Sequence, residues 1–555
     1  MKKMKTNPLL RLFNLILLDK KEIITIYFFA ILNGFVQLSL PLGVQAIISF
    51  VIGASMVTSI YILIIIIVIG VWISGVLQVN QMKVIERIQQ KIFTRNVFEF
   101  SEIIPKIDLN KSNNYYLPEK VNRFFDTLSV QKGVSKLLLD LPIASIQVVF
   151  GILLLSFYHP IFIVFGFILL TILILILKVT SKKGWTTSLE ESKNKYAVVG
   201  WFGEMGRVIK SFKFRQSSNL NMYKTDDITV HYLRARISHF SVLLFQYKAL
   251  IFFKVLITAS MLVVGTYLLL NQKLNIGEFI AAEIVILSII AAVEKLIGSI
   301  DSVYDVITGL EKLATVTESA IEKNGSVPYV SNKNGVKIEL NNVELAYNPS
   351  KIILRNLNFN IPSNSLIAIT GDEGSGKTSL LNFLSGNYQI EKGGFLINDI
   401  PFQNYQLNSI RNRIGLFLNQ QDIFEGTVLE NISFGRTDIT VEKINEIAQE
   451  VGFQGFINFF QNGFETMMDP AGKKLPSTIV KKILLLRAFV NEPDILFLEE
   501  PWLGFHENVK NSFIQYLRKI SANTTILIVT SNSDFVSECD YKIHLENETG
   551  SLIKI

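Results

Sequence analysis

Hydrophobic positions are unevenly spread along the chain. Before about residue 325 they gather into long stretches, and beyond it they fall into short runs between polar segments. Crossing a bilayer as a helix takes about 20 apolar residues. Six stretches qualify, near 23–44, 56–79, 136–157, 160–180, 247–270 and 276–298. The second contains the run from Ile62 to Ile69, a lipid-facing composition. The first outruns the apolar core of about 7–15 residues in a cleaved signal peptide, and no small-residue cleavage pattern follows it.

The polar connections alternate in length and charge. Segment 1–22 carries Lys2, Lys3, Lys5, Arg11, Lys20 and Lys21, and segments 80–135 and 181–246 are long and rich in Lys and Arg. The connections 45–55, 158–159 and 271–275 are short and carry only Lys273. Basic loops stay on the cytoplasmic side, so both termini and the two long loops are expected there, in a multi-pass protein of the plasma (inner) membrane. The long loops hold little Gly or Pro and read as helical. A 25-residue helical extension projects about 37 Å beyond the bilayer, so the membrane helices are expected to continue as stalks. Their tips fall near 113–126 and 193–206. Tyr115, Phe124, Trp201 and Phe202 at these tips either dock on another surface or pack within the stalk bundle. Four charges, Asp140, Lys254, Glu283 and Glu294, fall in or near the spans. Three read as lying near the cytoplasmic ends. Glu283 is the deepest, and an intramembrane carboxylate there is a candidate for a substrate path.

Composition agrees with this division. Of 555 residues, 49% are hydrophobic and 18% charged, against about 25% charged in soluble proteins. A soluble multidomain chain and a disordered one are both excluded. The net charge of +7 follows from the basic loops, and no basic-aromatic groove suggests nucleic acid. A single cysteine, Cys539, excludes an internal disulfide framework and a cysteine-rich zinc site.

Candidate chemistry lies after residue 325. The β-rich run 366–370 leads into Gly371-Asp372-Glu373-Gly374-Ser375-Gly376-Lys377-Thr378, and Ser379 opens a helical segment. Strand, glycine loop and helix in this order make a P-loop. Its N–H groups curl around phosphates, Lys377 holds the β- and γ-phosphates, and Thr378 is placed for Mg²⁺. A second apolar run, 495–498, ends in Glu499-Glu500-Pro501, and a third, 525–530, ends at Ser531. An apolar strand ending in carboxylates opposite a P-loop is a Walker B arrangement. The expected architecture is a polytopic α-helical membrane domain of six transmembrane helices with long cytoplasmic stalks, fused to an α/β P-loop ATPase domain. Its divisions fall at 1–22, 23–324 and 325–555.

With these motifs the whole chain resembles a half-transporter of the ATP-binding cassette (ABC) exporter family, most similar to the bacterial type I secretion and peptide exporters. Tyr347 in VELAYNP sits at the family's adenine-stacking position. Gly426-Thr427 with Glu430-Asn431-Ile432 resembles its G-T-x-x-E-N-I pattern, segment 463–475 runs in register before its signature, and Arg487-Ala488 matches its A-R-A. The resemblance implies ATP and Mg²⁺, with Tyr347, Gly371 through Ser379 and a Q-loop residue (Asn419 or Gln420) around the nucleotide. Mg²⁺ falls to Thr378 and Glu499, and water activation to Glu500. It also implies coupling helices at the stalk tips and a head-to-tail dimer with two ATP molecules between its halves. Homodimer and heterodimer both stay open, as does a periplasmic adaptor. With about 22 residues before the first span, leader-peptide cleavage by this chain is not expected.

Several positions depart from the family pattern. The signature L-S-G-G-Q stands as Leu475-Pro476-Ser477-Thr478-Ile479. Pro476 has no N–H to give, Thr478 puts a Cβ where glycine allows close approach, and Ser477 keeps a donor one position displaced. Ser531 aligns with the switch histidine and cannot carry its charge. Glu499 replaces a shorter aspartate, His506 the D-loop aspartate, and Pro470 the glutamate before the signature. Two functions follow. One is ATP-dependent export from the cytoplasm or inner leaflet. The alternative is a subunit that binds ATP and hydrolyses it slowly or not at all, regulating or completing a membrane complex.

Overall fold

The structure is a computed structural model describing all residues except 1–7, 54–56, 113–116, 215–218, 332–333, 349–350, 391, 420 and 473. Lys2, Lys3, Lys5, Tyr115 and Gln420 lie outside the described residues. The chain divides into two compact units. One comprises Met1–Lys106 and Tyr115–Ser319; the other comprises Ile107–Asn114 and Ala320–Ile555.

The helices through residue 317 are α1 (Pro8–Leu18), α2 (Lys20–Gln37), α3 (Ser39–Ile52), α4 (Val57–Ile103), α5 (Leu109–Ser112), α6 (Leu117–Val121), α7 (Asp126–Tyr158), α8 (Ile161–Arg207), α9 (Ile209–Lys213), α10 (Leu220–Leu270), α11 (Ile276–Gly298) and α12 (Ile300–Thr317). All but α5 belong to the first unit. Among the described residues, five helical stretches are long and apolar enough to cross a membrane: Lys20–Ile52, Thr58–Lys106, Leu117–Tyr158, Leu220–Leu270 and Ile276–Thr317. The fourth expected span, 160–180, lies within the continuous helix α8. Apolar span and polar stalk run on without a break. The 47 residues of α4 reach about 70 Å.

The spans differ in what they face. Along α4, Ile62, Ile65, Ile66, Ile69 and Trp72 are exposed, a surface that lipid solvates. On α11, Ala282, Val285, Ile289 and Ala292 are buried, in a core shared with Phe253 and Ile257 of α10 and Ala144 and Val148 of α7. The first span is not one helix. α2 and α3 meet at Leu38, whose N–H takes the tightened bond to Phe35 O at 3.2 Å. Pro41 enforces the break, because it has no N–H to offer the carbonyl of Gln37.

In the second unit the strands are β1 (Ile338–Asn348), β2 (Lys351–Ile361), β3 (Leu366–Gly371), β4 (Lys392–Ile397), β5 (Ile400–Pro401), β6 (Ile414–Phe417), β7 (Gly426–Thr427), β8 (Met467–Met468), β9 (Ile495–Glu499), β10 (Thr525–Val529), β11 (Tyr541–Glu546) and β12 (Thr549–Lys554). The helices are α13 (Lys377–Leu384), α14 (Leu407–Arg411), α15 (Val428–Ser433), α16 (Val441–Glu450), α17 (Ser477–Phe489), α18 (Glu507–Ile520) and α19 (Ser533–Val536). A six-stranded sheet runs β12-β11-β3-β10-β9-β6, and an antiparallel sheet runs β2-β1-β4-β5. In the larger sheet β11, β3, β10, β9 and β6 are parallel. Of these, β3, β9 and β10 are buried on both faces, so they read as continuous apolar runs. Leu496, Leu498, Ile526 and Ile528 enter one core with α17 and α18. Their alternates Ile495, Phe497, Leu527 and Val529 enter the other with β1 and β2.

Residues 107–110 are tied into this second unit. Ile107 bridges Ile321, the N–H of Asp108 donates to Ala320 O at 2.8 Å, and Asn110 Nδ2 donates to Gln389 O at 2.9 Å. The linker after α12 is anchored in the same unit. Arg411 forks onto Glu322 at 2.6 and 2.8 Å and also donates to Gly386 O.

Candidate functional site

Three neighbouring strands end at one place. β3 lies beside β10 and β10 beside β9, so the P-loop after β3, Ser531 beyond β10 and Glu499-Glu500 at the end of β9 converge. Ligand sites of parallel sheets form at these carboxyl ends.

The P-loop has the backbone its glycines predict. Gly374 and Gly376 have φ of 81° and 95°, conformations that side chains resist, and α13 starts directly after Gly376. Lys377 Nζ is folded onto the loop, donating to the carbonyls of Gly371 and Asp372 at 2.7 Å. This places the ammonium at the centre of the cradle. Asp372, Glu373, Ser375 and Ser379 complete the loop and first turn of α13. Thr378 Oγ1 donates to Glu499 Oε1, and the N–H of Asn419 donates to Glu499 Oε2 at 2.9 Å. The longer Glu499 therefore reaches Thr378 directly, and it is only 7% exposed.

Glu500 has φ of 41°, a left-handed conformation costly for a residue with a Cβ. Two bonds hold it there. Its N–H donates to Val529 O at 2.9 Å, and its Oε1 accepts from the N–H of Ser531 at 2.7 Å. Ser531 thus meets Glu500 through its backbone. Tyr347 stacks on Phe383 with centroids 5.6 Å apart and meets the edge of Tyr388 at 4.6 Å.

The signature-like loop lies at the start of α17. Pro476 is the N-cap and supplies no side-chain bond; its carbonyl accepts from Ile479 and Val480 at 2.9 and 3.2 Å. Leu475 packs against the core. Ser477 is exposed and Thr478 half-buried in the first turn, where a helix offers its unpaired N–H groups.

Sequence reasoning gave no structural role to Asn431, Arg487 or Lys481. Asn431, fully buried, accepts from Phe424 N–H and donates to Phe424 O, both at 2.9 Å. Arg487 Nε donates to Asn431 O at 2.7 Å, and its guanidinium lies 4.8 Å from the centroid of the Phe434 ring. Burial lowers the Arg487 pKa to about 10. Lys481 Nζ donates to Leu503 O at 2.7 Å. Burial lowers its pKa while the Glu500 charge opposes the shift. The motif letters marked the Asn431 position, but no local periodicity showed what it holds.

Residues 354–503 match the family model of the ABC transporter. The chain is 26% identical over 260 residues to the fatty acid ABC transporter ATP-binding/permease protein of Mycobacterium bovis, covering 47% of this chain and 41% of that protein. It is 29% identical over 211 residues to the mitochondrial iron-sulfur clusters transporter ATM1 of Gibberella zeae, covering 38% of this chain and 30% of that protein. The matched region thus spans less than half the length of each. A bacterial Atm1-family ABC exporter with ATP bound superposes with a TM-score of 0.82 at 16% identity, over 96% of this chain and 94% of that one. The fold is therefore shared with that exporter: a unit of long helices followed by an α/β unit.

The remaining sequence candidates are in the first unit. Phe124 packs edge-on to Phe93 and Phe100 at 5.7 and 5.4 Å, and Trp201 Nε1 donates to Thr225 at 3.0 Å. Phe202 is exposed. Lys254 pairs with Glu294 at 2.9 Å, and Asp140 accepts from Ser299 at 3.3 Å. Glu283 is half-buried on α11 and does not line the 320 Å³ cavity beside that helix.

Proposed function

We propose that the chain is one half of an ATP-driven exporter. The observation that carries this is the convergence of Lys377, Thr378, Glu499 and Glu500 at the ends of neighbouring strands, within an exporter fold. The P-loop and Lys377 bind the β- and γ-phosphates, and Tyr347 stacks the base. Thr378 and Glu499 bring two hard oxygens together, a donor set suited to Mg²⁺. Among the described residues no cluster of three or more His, Cys, Asp or Glu forms a metal cage, and Mg²⁺ beside a nucleotide typically needs only one or two carboxylates plus phosphate oxygens. Bound there, it would neutralise phosphate charge. Glu500 takes a proton from the attacking water. Binding closes two ABC domains head to tail, residues 107–112 transmit the closure, and hydrolysis resets the cycle. The basic loops support cytoplasmic termini.

The ordinary mechanism has weak points here. Ser531 offers Glu500 an N–H where the family has an imidazole, and Pro476 caps α17 without a donor. These favour, as a second reading, an ATP-binding partner subunit with slow turnover. ATP turnover by the full chain in nanodiscs separates the two. In the exporter, Glu500→Gln lowers turnover by about a hundredfold or more and Lys377→Ala abolishes ATP binding. Tight ATP binding with equal turnover in wild type and Glu500→Gln would refute hydrolysis-driven export by this chain.

A further inference from the structure

A cavity of 320 Å³ lies within the membrane unit, between the α2–α3 break, α4, α7 and α11. Its lining mixes two chemistries. Leu40, Val71, Phe150 and Val285 are apolar, whereas Gln37, Ser39, Ser74, Gln147, Ser288 and Lys295 bring hydrogen-bonding groups and one cation. Polar groups in a membrane span are costly without a partner, and where they gather at a cavity they mark a ligand.

Two further observations point the same way. First, the helix break opens onto this cavity: Gln37 through Pro41 all line it, and Pro41 leaves the Gln37 carbonyl without its helical donor. Interrupted helices are tolerated at membrane depth where they line a cavity, and in transporters they mark binding sites. The packing keeps the break close to α4, since a Cβ on Gly70 would lie 2.7 Å from Ser39 Oγ. Second, the polar groups are already in place. Ser74 donates to the buried amide of Asn33, which is 2% exposed.

The charge is at one end. Val285, Ser288 and Lys295 recur on one face of α11 and span about 15 Å along it. Lys295 lies at the stalk end of the helix, and among the described residues it makes no ion pair. The cavity therefore offers a cation at its stalk end and an apolar slot, with hydroxyls and amides, running away from it.

We propose that this cavity binds an amphiphile with a small anionic head, the head on Lys295 and the apolar tail along Val71, Phe150 and Val285. The inference rests on the export reading and names the class of cargo.

The test uses the full chain in phosphatidylcholine nanodiscs. Dodecyl phosphate is the probe, with dodecanol as its neutral counterpart and inorganic phosphate as competitor. Binding is followed by calorimetry, and ATP binding is recorded on every sample. Lys295→Gln should weaken dodecyl phosphate by about tenfold or more and leave dodecanol unchanged. Ser74→Leu, which fills the slot, should weaken both, with ATP binding intact in both variants. Equal dodecyl phosphate affinity in wild type and Lys295→Gln would overturn the proposal. So would inorganic phosphate displacing the probe at comparable concentration, because the site would then hold a free anion. Equal ATP turnover in wild type and Glu500→Gln would refute the export reading and leave this binding result standing.

Discussion

Asn431 supports the second unit in a way that its polarity alone does not suggest. One buried carboxamide joins the chain at Phe424, the start of α15 through a bond to Thr427 O, and Arg487 of α17. Asn431→Ala leaves the Phe424 N–H and carbonyl unpaired, and such groups cost about 1–3 kcal/mol each. We expect a loss of about 3 kcal/mol or more, read as a lower thermal midpoint in the full chain. Ser531 sits at the other extreme, a small change with a large chemical consequence. Its backbone already fixes Glu500, so Ser531→His adds an imidazole beside a carboxylate that is correctly held. Phosphate release should rise by about tenfold or more; an unchanged rate would place the defect elsewhere, at the signature-like loop. The sequence made the P-loop, Glu499 and Glu500 legible because their chemistry is carried by side-chain type at fixed spacing. It did not reveal the Ser531 N–H to Glu500 bond, because every residue but proline has an N–H and only geometry selects which one points at the carboxylate.

At the scale of elements, helix ends and breaks decide what each segment can do. α17 begins with Pro476 as a cap that donates nothing, although Ser477 and Thr478 still occupy its first turn. Pro476→Ser with Thr478→Gly restores a hydroxyl, an N–H and room for close approach. ATP turnover in the double variant should exceed that of the parent, and most strongly when combined with Ser531→His, since both act on one composite site. α15 shows the opposite case. Thr427 and Glu430 form a reciprocal capping box, with Glu430 N–H on Thr427 Oγ1 at 3.0 Å and Thr427 N–H on Glu430 Oε2 at 2.7 Å. That explains the spacing of the G-T-x-x-E-N-I pattern in local terms. Hydropathy merged α2 and α3 into one span. Averaged apolarity is blind to a single missing N–H, and Pro41 was the available signal.

For the whole molecule, the sequence by itself determined the classes of structure and the chemistry on offer. Long apolar stretches need lipid or a deep core, short apolar runs need a sheet buried on both faces, and glycines before Lys377 need a phosphate-sized cradle. Those are local requirements, and residue order states them. Tertiary structure decided what is brought together from afar. It set β10 between β3 and β9, so that Ser531, Thr378 and Glu500 share one site, and it assigned 107–114 to the same unit as 320–555. It also gathered Ser39, Ser74, Gln147 and Lys295 from four helices around one cavity while leaving Glu283, the deepest charge in the sequence, off its wall. The reason is physical. Depth in a span follows from counting residues along one helix, but the face that a side chain presents and the neighbour it meets depend on how several helices rotate and pack, which no single segment encodes.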